Sequence, residues 1–354
     1  MRILIATDAW HPQVNGVVRV LDTTARLLRA AGHEVEIVGP DRFRTVPAPG
    51  YSEIRLAVRP GKDLARIIEA FRPDTIHVPV EGPIGLAARR YCKKRAIPFT
   101  TSFHTRFGDY FEKRLGTGVE VAYSVQRWFH NASSAIMVQT PTLERQLGER
   151  GFRNIRRWGR GVDTELFRPL RNEPGFDPDF LGLPRPIFMY LGRVSKEKNL
   201  EAFFGLDLPG SKVVVGDGPA LPTLRRAHAD VHFLGYRSGE DLARHLSAAD
   251  VFVFPSRFET FGLVVLEALA CGTPVAAFPV QGPLDILGQT PHGILSEDLR
   301  RAALDALSID RNGCRAFAET FSWATCTREF EENLMPIPPG LWDLAETREL
   351  EVVR

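Results

Sequence analysis

Residues 250–279 read DVFVFPSRFETFGLVVLEALACGTPVAAFP, and this stretch decides the fold. Val251–Pro255 is β-branched and aromatic, the composition of a parallel strand buried on both faces. Ser256–Thr260 is a polar loop. Gly262–Cys271, rich in Leu, Val and Ala, predicts a helix that Gly272 and Pro274 stop. Pro274–Phe278 is a second apolar strand. The unit is β–loop–α–β, and in sheets built from such units ligands gather at the carboxyl ends of strands, beside helix N-termini. Glu259 lies in the strand-to-helix loop. Glu267 lies eight residues further, inside the helix, where Leu263, Val264, Ala270 and Cys271 leave it no solvated face. A buried carboxylate needs a polar partner. That partner is either backbone or arginine in a purely structural role, or the hydroxyls of a ligand whose phosphate sits at the helix N-terminus.

Working outward, strands and helices alternate over most of the chain, which predicts parallel α/β sheets. Ile3–Thr7, Val35–Val38, Asp74–Val78, Pro98–Ser102 and Ala135–Gln139 read as strands of a first series. Strands at Pro186–Leu191, Lys212–Val215, Val231–Leu234, Val251–Phe254 and Val275–Phe278 form a second. The proline-rich run 169–185 separates them. The expected organisation is a first α/β domain over 1–168, a linker over 169–185, a second α/β domain over 186–334 and a tail over 335–354. Residues 103–118 (FHTRFGDYFEKRLGTG) break the alternation with aromatics, charges and glycines, as a binding segment or lid does.

The chain of 354 residues suits about two domains, and 44% hydrophobic with 25% charged residues is an ordinary globular composition. No leader pattern opens the sequence, and no apolar run reaches the ~18 residues that span a bilayer. Cys92, Cys271, Cys314 and Cys326 show no metal-ligand spacing and suit a reduced cytosol. The net charge of +2 hides an asymmetry: residues 1–170 carry a balance of +10 and the remainder −8. An anionic partner for the first half follows, either a membrane surface or nucleic acid. No zinc-finger, RRM, KH or recognition-helix pattern supports nucleic acid.

Several strand ends carry groups suited to a phosphorylated ligand. Asn15-Gly16 follows the first strand, where a glycine lets backbone amides approach a phosphate, or simply forms a turn and cap. Gly192-Arg193-Val-Ser-Lys196-Glu-Lys198 follows the strand that opens the second series and offers a planar guanidinium and compact ammonium charges. Gly216-Asp217-Gly218-Pro219 and Leu234-Gly235-Tyr236-Arg237 are further turn-rich strand ends. His104 ends a strand of the first series, and His77 and Glu81 close the neighbouring one.

The run from Arg257 to Val275, RFETFGLVVLEALACGTPV, resembles the E-x7-E signature of retaining GT-B glycosyltransferases, and the resemblance runs from about Ile3 to Leu334. It implies a GT-B fold: two Rossmann-like parallel-sheet domains facing each other across a cleft. The implied activity is transfer of a hexose from a nucleotide diphosphate sugar to an acceptor hydroxyl. By the same resemblance Arg193 and Lys198 (or Lys196) neutralise the leaving diphosphate, His104 lies near the donor sugar, Glu259 holds sugar hydroxyls and Glu267 the ribose. Gly16, Gly218, Tyr236, Arg237, Phe261, Gly262 and Leu263 fall on the donor side; His77, Glu81 and Arg106 fall on the acceptor side. Residues 161–169 resemble the family's interdomain hinge. No Asp-x-Asp motif stands in the right setting, so no essential metal or cofactor is expected.

Segments such as EGPIGLAARR and SFHTRF look closest to bacterial α-mannosyltransferase-like and diacylglycerol glycosyltransferases. The expected acceptor is a membrane lipid such as diacylglycerol, on the inner face of the cell membrane. Arg89, Arg90, Lys93, Lys94, Arg95, Arg106, Lys113 and Arg114, interleaved with Phe103, Phe107, Tyr110 and Phe111, are expected to hold the headgroups. The alternatives are a GDP-mannose-dependent enzyme acting on a soluble or polyprenyl-linked glycan, and a nucleotide-sugar-binding partner without catalysis. The second should lack a carboxylate or the Arg–Lys pair, and this chain has all four.

Overall fold

A computed structural model describes residues 1–13, 15–48, 51–104, 119–288 and 290–342. The chain divides into two compact units, Met1–Gly159 together with the chain from Ala324, and Arg160–Trp323. In the first, the order is β1 (Arg2–Ala6), α1 (Gly16–Ala30), β2 (Glu34–Val38), β3 (Thr45–Ala48), β4 (Tyr51–Ala57), α2 (Gly61–Phe71), β5 (Thr75–Val78), α3 (Pro83–Arg95), β6 (Thr100–Ser102), α4 (Val119–His130), β7 (Ala135–Val138), α5 (Pro141–Glu149) and β8 (Ile155–Arg157). β3 and β4 pair as a separate antiparallel hairpin. The remaining six form a parallel sheet in the order β2-β1-β5-β6-β7-β8.

The second unit runs β9 (Ile187–Leu191), α6 (Leu200–Phe204), β10 (Ser211–Val215), α7 (Leu221–Ala227), β11 (Val231–Gly235), α8 (Gly239–Ala248), β12 (Val251–Phe254), α9 (Leu263–Ala270), β13 (Val275–Ala277), α10 (Gln281–Leu287), β14 (Gly293–Leu295), α11 (Leu299–Asp305) and α12 (Arg311–Ala318). Its sheet is parallel, ordered β11-β10-β9-β12-β13-β14. Successive strand residues point to opposite faces. Ile187, Met189 and Leu191 of β9, with Phe252 and Phe254 of β12, therefore enter one core. Phe188 and Tyr190, with Val251 and Val253, enter the other. Burial on both faces is what makes these strands unbroken apolar runs in the sequence.

The division differs from the expected one. The proline-rich run 169–185 belongs to the second unit. Leu170 is buried there, and Arg171 and Arg185 clamp Asp250 at 3.0 and 2.6 Å. Those two guanidiniums and the apolar contacts of Phe176 and Leu181 fix a segment that composition alone reads as a linker. The C-terminal helix α13 (Trp323–Asn333) packs on the first unit, with Phe330 against Trp158 and His77 at ring separations of 4.9 Å each. Beyond it, Ile337 is buried and donates its N–H to the Asp74 carbonyl at 2.8 Å, and Trp342 Nε1 donates to the Pro73 carbonyl at 3.2 Å. The start of the presumed tail is thus docked on the first unit.

Candidate active site

In the second unit the chain lays strands outward from β9 through β10 to β11, then returns to place β12 on the other side of β9. Ligands of open α/β sheets sit at such reversal points, past the carboxyl ends of the strands. The loops after β9 and β12 carry the paired candidates. Lys198 Nζ lies 2.9 Å from Glu259 Oε2, with the two side chains 24% and 21% exposed. The neighbouring Lys196 is exposed, which assigns the β9-loop lysine at the carboxylate to Lys198. Asn199, in a left-handed conformation (φ 55°), ties the loops together by donating Nδ2–H to the Pro255 carbonyl at 3.0 Å. Arg193 is half-buried, and its carbonyl accepts the Tyr190 hydroxyl at 2.9 Å. Burial pushes the Tyr190 phenol far above its ordinary pKa, which keeps that hydroxyl a donor.

The second oxygen of Glu259 accepts the Thr260 amide at 3.1 Å. Three residues on, Gly262 adopts φ 91°, a conformation disfavoured for side-chain-bearing residues, and α9 starts there with no side-chain cap and no acid in its first turn. A helix N-terminus of this kind suits an anion. Phe261 is buried and Leu263 half-buried beside it. Glu267, on the same helix, is 3% exposed. Gly282, at the start of α10, was not singled out by the sequence. A Cβ there would lie 2.5 Å from the Phe261 carbonyl oxygen and 2.9 Å from Glu259 Cγ, so its missing side chain leaves room for the carboxylate loop.

The glycine turns after β10 and β11 pack against the β9 loop. Gly216 donates to the Gly235 carbonyl at 2.9 Å, and Gly192 donates to the Val215 carbonyl at 3.0 Å. A Cβ on Gly216 would stand 1.9 Å from the Gly192 oxygen, and one on Gly218 2.4 Å from the Val194 oxygen. These glycines thus have a loop-packing role independent of any ligand. Tyr236 is 57% exposed, while Arg237 pairs with Asp241 at 3.1 Å.

In the first unit the reversal lies between β1 and β5. Asn15 caps α1, its Oδ1 accepting the Val17 and Val18 amides at 3.0 and 3.1 Å. Two amides near Gly16 that the sequence reading offered to a phosphate are therefore engaged. His77, expected to face an acceptor, is fully buried. Its Nδ1 meets Thr100 Oγ1 at 2.9 Å and its Nε2 meets Ser102 Oγ at 3.2 Å. The same Ser102 oxygen lies 2.7 Å from His104 Nε2. Glu81 accepts hydrogen bonds from His130 Nε2 and Gln126 Nε2, both at 2.9 Å. Burial raises the Glu81 pKa, but the hydrogen bond and charge of His130, with the Gln126 amide, outweigh it and leave the group below its ordinary value.

Asp8, after β1, was not singled out either. It accepts the Ile84 and Gly85 amides at 3.0 Å each, capping α3 from 76 and 77 residues away. Burial, opposed by those two amides and assisted by Glu81, pushes its pKa up to about 6. Arg106 lies outside the described residues. Among those described, no group of three or more His, Cys, Asp or Glu could hold a metal ion.

A parallel α/β unit with a lysine–carboxylate pair beside a helix start without a side-chain cap offers an ammonium group and backbone amides to a phosphorylated ligand. Residues 14–166 match the family described as Glycosyltransferase Family 4, and residues 185–308 the Glycosyl transferases group 1. The chain is 31% identical over 320 residues to the GDP-mannose-dependent alpha-mannosyltransferase of Mycobacterium tuberculosis, covering 82% of each. It therefore belongs to the family 4 glycosyltransferases and is a retaining enzyme of the GT-B kind. It is also 26% identical to the alpha-monoglucosyldiacylglycerol synthase of Streptococcus pneumoniae, covering 87% of this chain and 78% of the relative. The sucrose-phosphate synthase of Thermosynechococcus elongatus shares the fold at a TM-score of 0.73 with 21% identity, covering 94% of this chain and 97% of that one.

Proposed function

We propose that the protein transfers a hexose from a nucleotide diphosphate sugar to an acceptor hydroxyl, with retention and without an essential metal. The observation that carries this reading is the Lys198–Glu259 pair at 2.9 Å beside the uncapped start of α9. Cleaving a glycosyl phosphate needs charge stabilisation on the departing diphosphate. Lys198, Arg193 and the α9 amides supply it. Glu259, held at one oxygen by Lys198 and at the other by the Thr260 amide, is oriented to take sugar hydroxyls. Glu267 takes the ribose, and the family resemblance gives His104 a role at the donor sugar. The departing phosphate serves as base for front-face attack by the acceptor.

The proposed acceptor is a membrane lipid on the inner face of the cell membrane. Phe103, expected to enter the headgroups, is buried, and residues 105–118 lie outside the described part. The support comes instead from α4, where Val121, Val125 and Trp128 share one face and are each more than half exposed. The Arg89 guanidinium stacks 3.6 Å over the Trp128 ring, and Arg90, Lys93 and Lys94 on α3 are exposed. Apolar groups beside cations suit an anionic interface. No helix among the described residues is long and apolar enough to cross a membrane. A second reading, GDP-mannose-dependent transfer to a soluble or polyprenyl-linked glycan, is favoured by the mycobacterial relative.

A panel of UDP- and GDP-sugars, with nucleotide release measured with and without diacylglycerol vesicles, separates these readings. Release with one donor that rises with lipid supports the lipid acceptor. Release that rises only with a soluble glycan transfers the assignment to the second reading, and no release with any donor overturns both.

A further inference from the structure

Helix α10 carries a carboxylate that nothing else in the second unit answers. Asp285 is half-buried, its Oδ2 is sealed from solvent without a hydrogen-bond partner, and no ion pair reaches it among the described residues. A carboxylate in that condition costs stability unless some state of the molecule supplies a donor. Its place on the helix shows where that donor comes from. Gly282, three residues earlier, abuts the loop after β12: a Cβ there would lie 2.5 Å from the Phe261 carbonyl oxygen and 2.9 Å from Glu259 Cγ. Residues three apart on a helix share a face, with Cβ positions about 5–6 Å apart. Helical side chains also lean toward the N-terminus, over the preceding turn. Asp285 therefore leans over the bare turn at Gly282, toward the side of α10 that meets Glu259.

We propose that Asp285 is a further binding residue of the donor site, accepting a hydrogen bond from a hydroxyl of the donor hexose beside the one that Glu259 takes. This rests on the reading that the donor sugar lies against Glu259. Charge selects the sugar over the rest of the donor. Glu259 is balanced by Lys198 Nζ at 2.9 Å, whereas no cation pairs with Asp285 among the described residues. An uncompensated negative charge repels a diphosphate, so the group that meets Asp285 belongs to the sugar end of the molecule. A sugar hydroxyl is neutral and can donate, and its hydrogen bond to a carboxylate is charge-assisted. The χ2 well of an aspartate is broad, so either oxygen can turn to that hydroxyl. The rest of the helix offers no competing donor: Pro283 has none, Leu284 is apolar, and Ile286 and Leu287 enter the core. A carboxylate placed this way favours a sugar position bearing OH, since a deoxy position leaves it without its donor.

The test is calorimetric titration of the full chain with GDP, UDP, GDP-mannose and UDP-glucose. The quantity read is the affinity for a nucleotide sugar divided by that for the same nucleotide without its sugar. Asp285→Ala is expected to lower this ratio about tenfold. The nucleotide sugar should bind more weakly, and the bare nucleotide as tightly or more tightly, because a charge that repels its phosphates has gone. The thermal midpoint should hold or rise, since the variant loses a carboxylate without a partner. A packing role would instead lower both affinities and the midpoint together. Asp285→Asn keeps the shape and one accepting oxygen, so its ratio should fall between wild type and alanine; it decides the matter if the alanine variant does not fold. An unchanged ratio, or an equal loss for nucleotide and nucleotide sugar, overturns the role of Asp285 and leaves the transferase reading in place. A wild-type protein that binds neither nucleotide sugar overturns the donor-site reading, and the role of Asp285 with it.

Discussion

The two sheets solve the strand-reversal problem with opposite chemistry. At the β9/β12 reversal of the second unit the groups are charged, partly exposed and drawn from neighbouring loops, with Lys198 and Glu259 each about one-fifth to one-quarter exposed. At the β1/β5 reversal of the first, Asp8 is 7% exposed and spends both oxygens on the backbone of α3. The same topology thus leaves one set of carboxylate contacts at the surface and commits the other to architecture. A carboxylate at a strand end is therefore not by itself a ligand group. Its accessibility and its existing partners decide.

The largest expected effect tests the exposed side. Lys198→Ala and Arg193→Ala should each lower turnover by roughly one to three powers of ten with little change in thermal midpoint, as losses of charge stabilisation in the transition state do. Wild-type turnover in both would end the diphosphate assignment. Next comes the scaffold beneath it. Gly216→Ala puts a methyl 1.9 Å from the Gly192 oxygen at φ +142°, and urea unfolding should show a loss of about 2–4 kcal/mol. Unchanged stability would mean that the loops are not packed as described.

The buried side is tested by pH. The Asp8 pKa is raised above its unfolded value, so the folded state binds the proton more tightly and the stability this provides is lost as pH rises from about 4 toward 6. Glu81, shifted the other way, contributes stability that is lost as pH falls. Asp8→Asn should therefore flatten the decline between pH 4 and 6 by about 1–3 kcal/mol relative to wild type. Its absolute stability should also be lower, because Ile84 and Gly85 donate to different oxygens of Asp8, and asparagine turns one of those acceptors into an NH2 donor. Equal slopes would remove the raised carboxyl. The smallest effect separates the two glutamates. Glu267→Gln should weaken nucleoside diphosphate binding by about tenfold in calorimetry, whereas Glu259→Gln should spare binding and damage transfer. Equal loss of affinity would mean that their roles are misassigned.

Five of the six strands of each parallel sheet were legible because their signal is local, whereas the short, half-buried edge strands β8 and β14 were not. Burial on both faces writes unbroken apolar runs, and Lys198 and Glu259 each stand at the end of such a run. What was illegible depends on contacts across long stretches of chain. Nothing near Asp8 announces that it caps a helix beginning at Pro83. His77 looked like a strand-end ligand until Trp158 and Phe330 enclosed it. The run 169–185 has a linker's composition, and only Asp250 reveals that Arg171 and Arg185 are anchored.

The return of α13 to the first unit bears on how the chain matures. During synthesis all the strands of Arg160–Trp323 are made before Ala324, and its sheet needs nothing later in the chain. The first unit, though synthesised earlier, has to wait until Phe330 and Ile337 arrive to cover His77, Trp158 and the β5 end of its sheet. Until then it presents an apolar surface that a chaperone can recognise, so the portion translated first is the portion completed last.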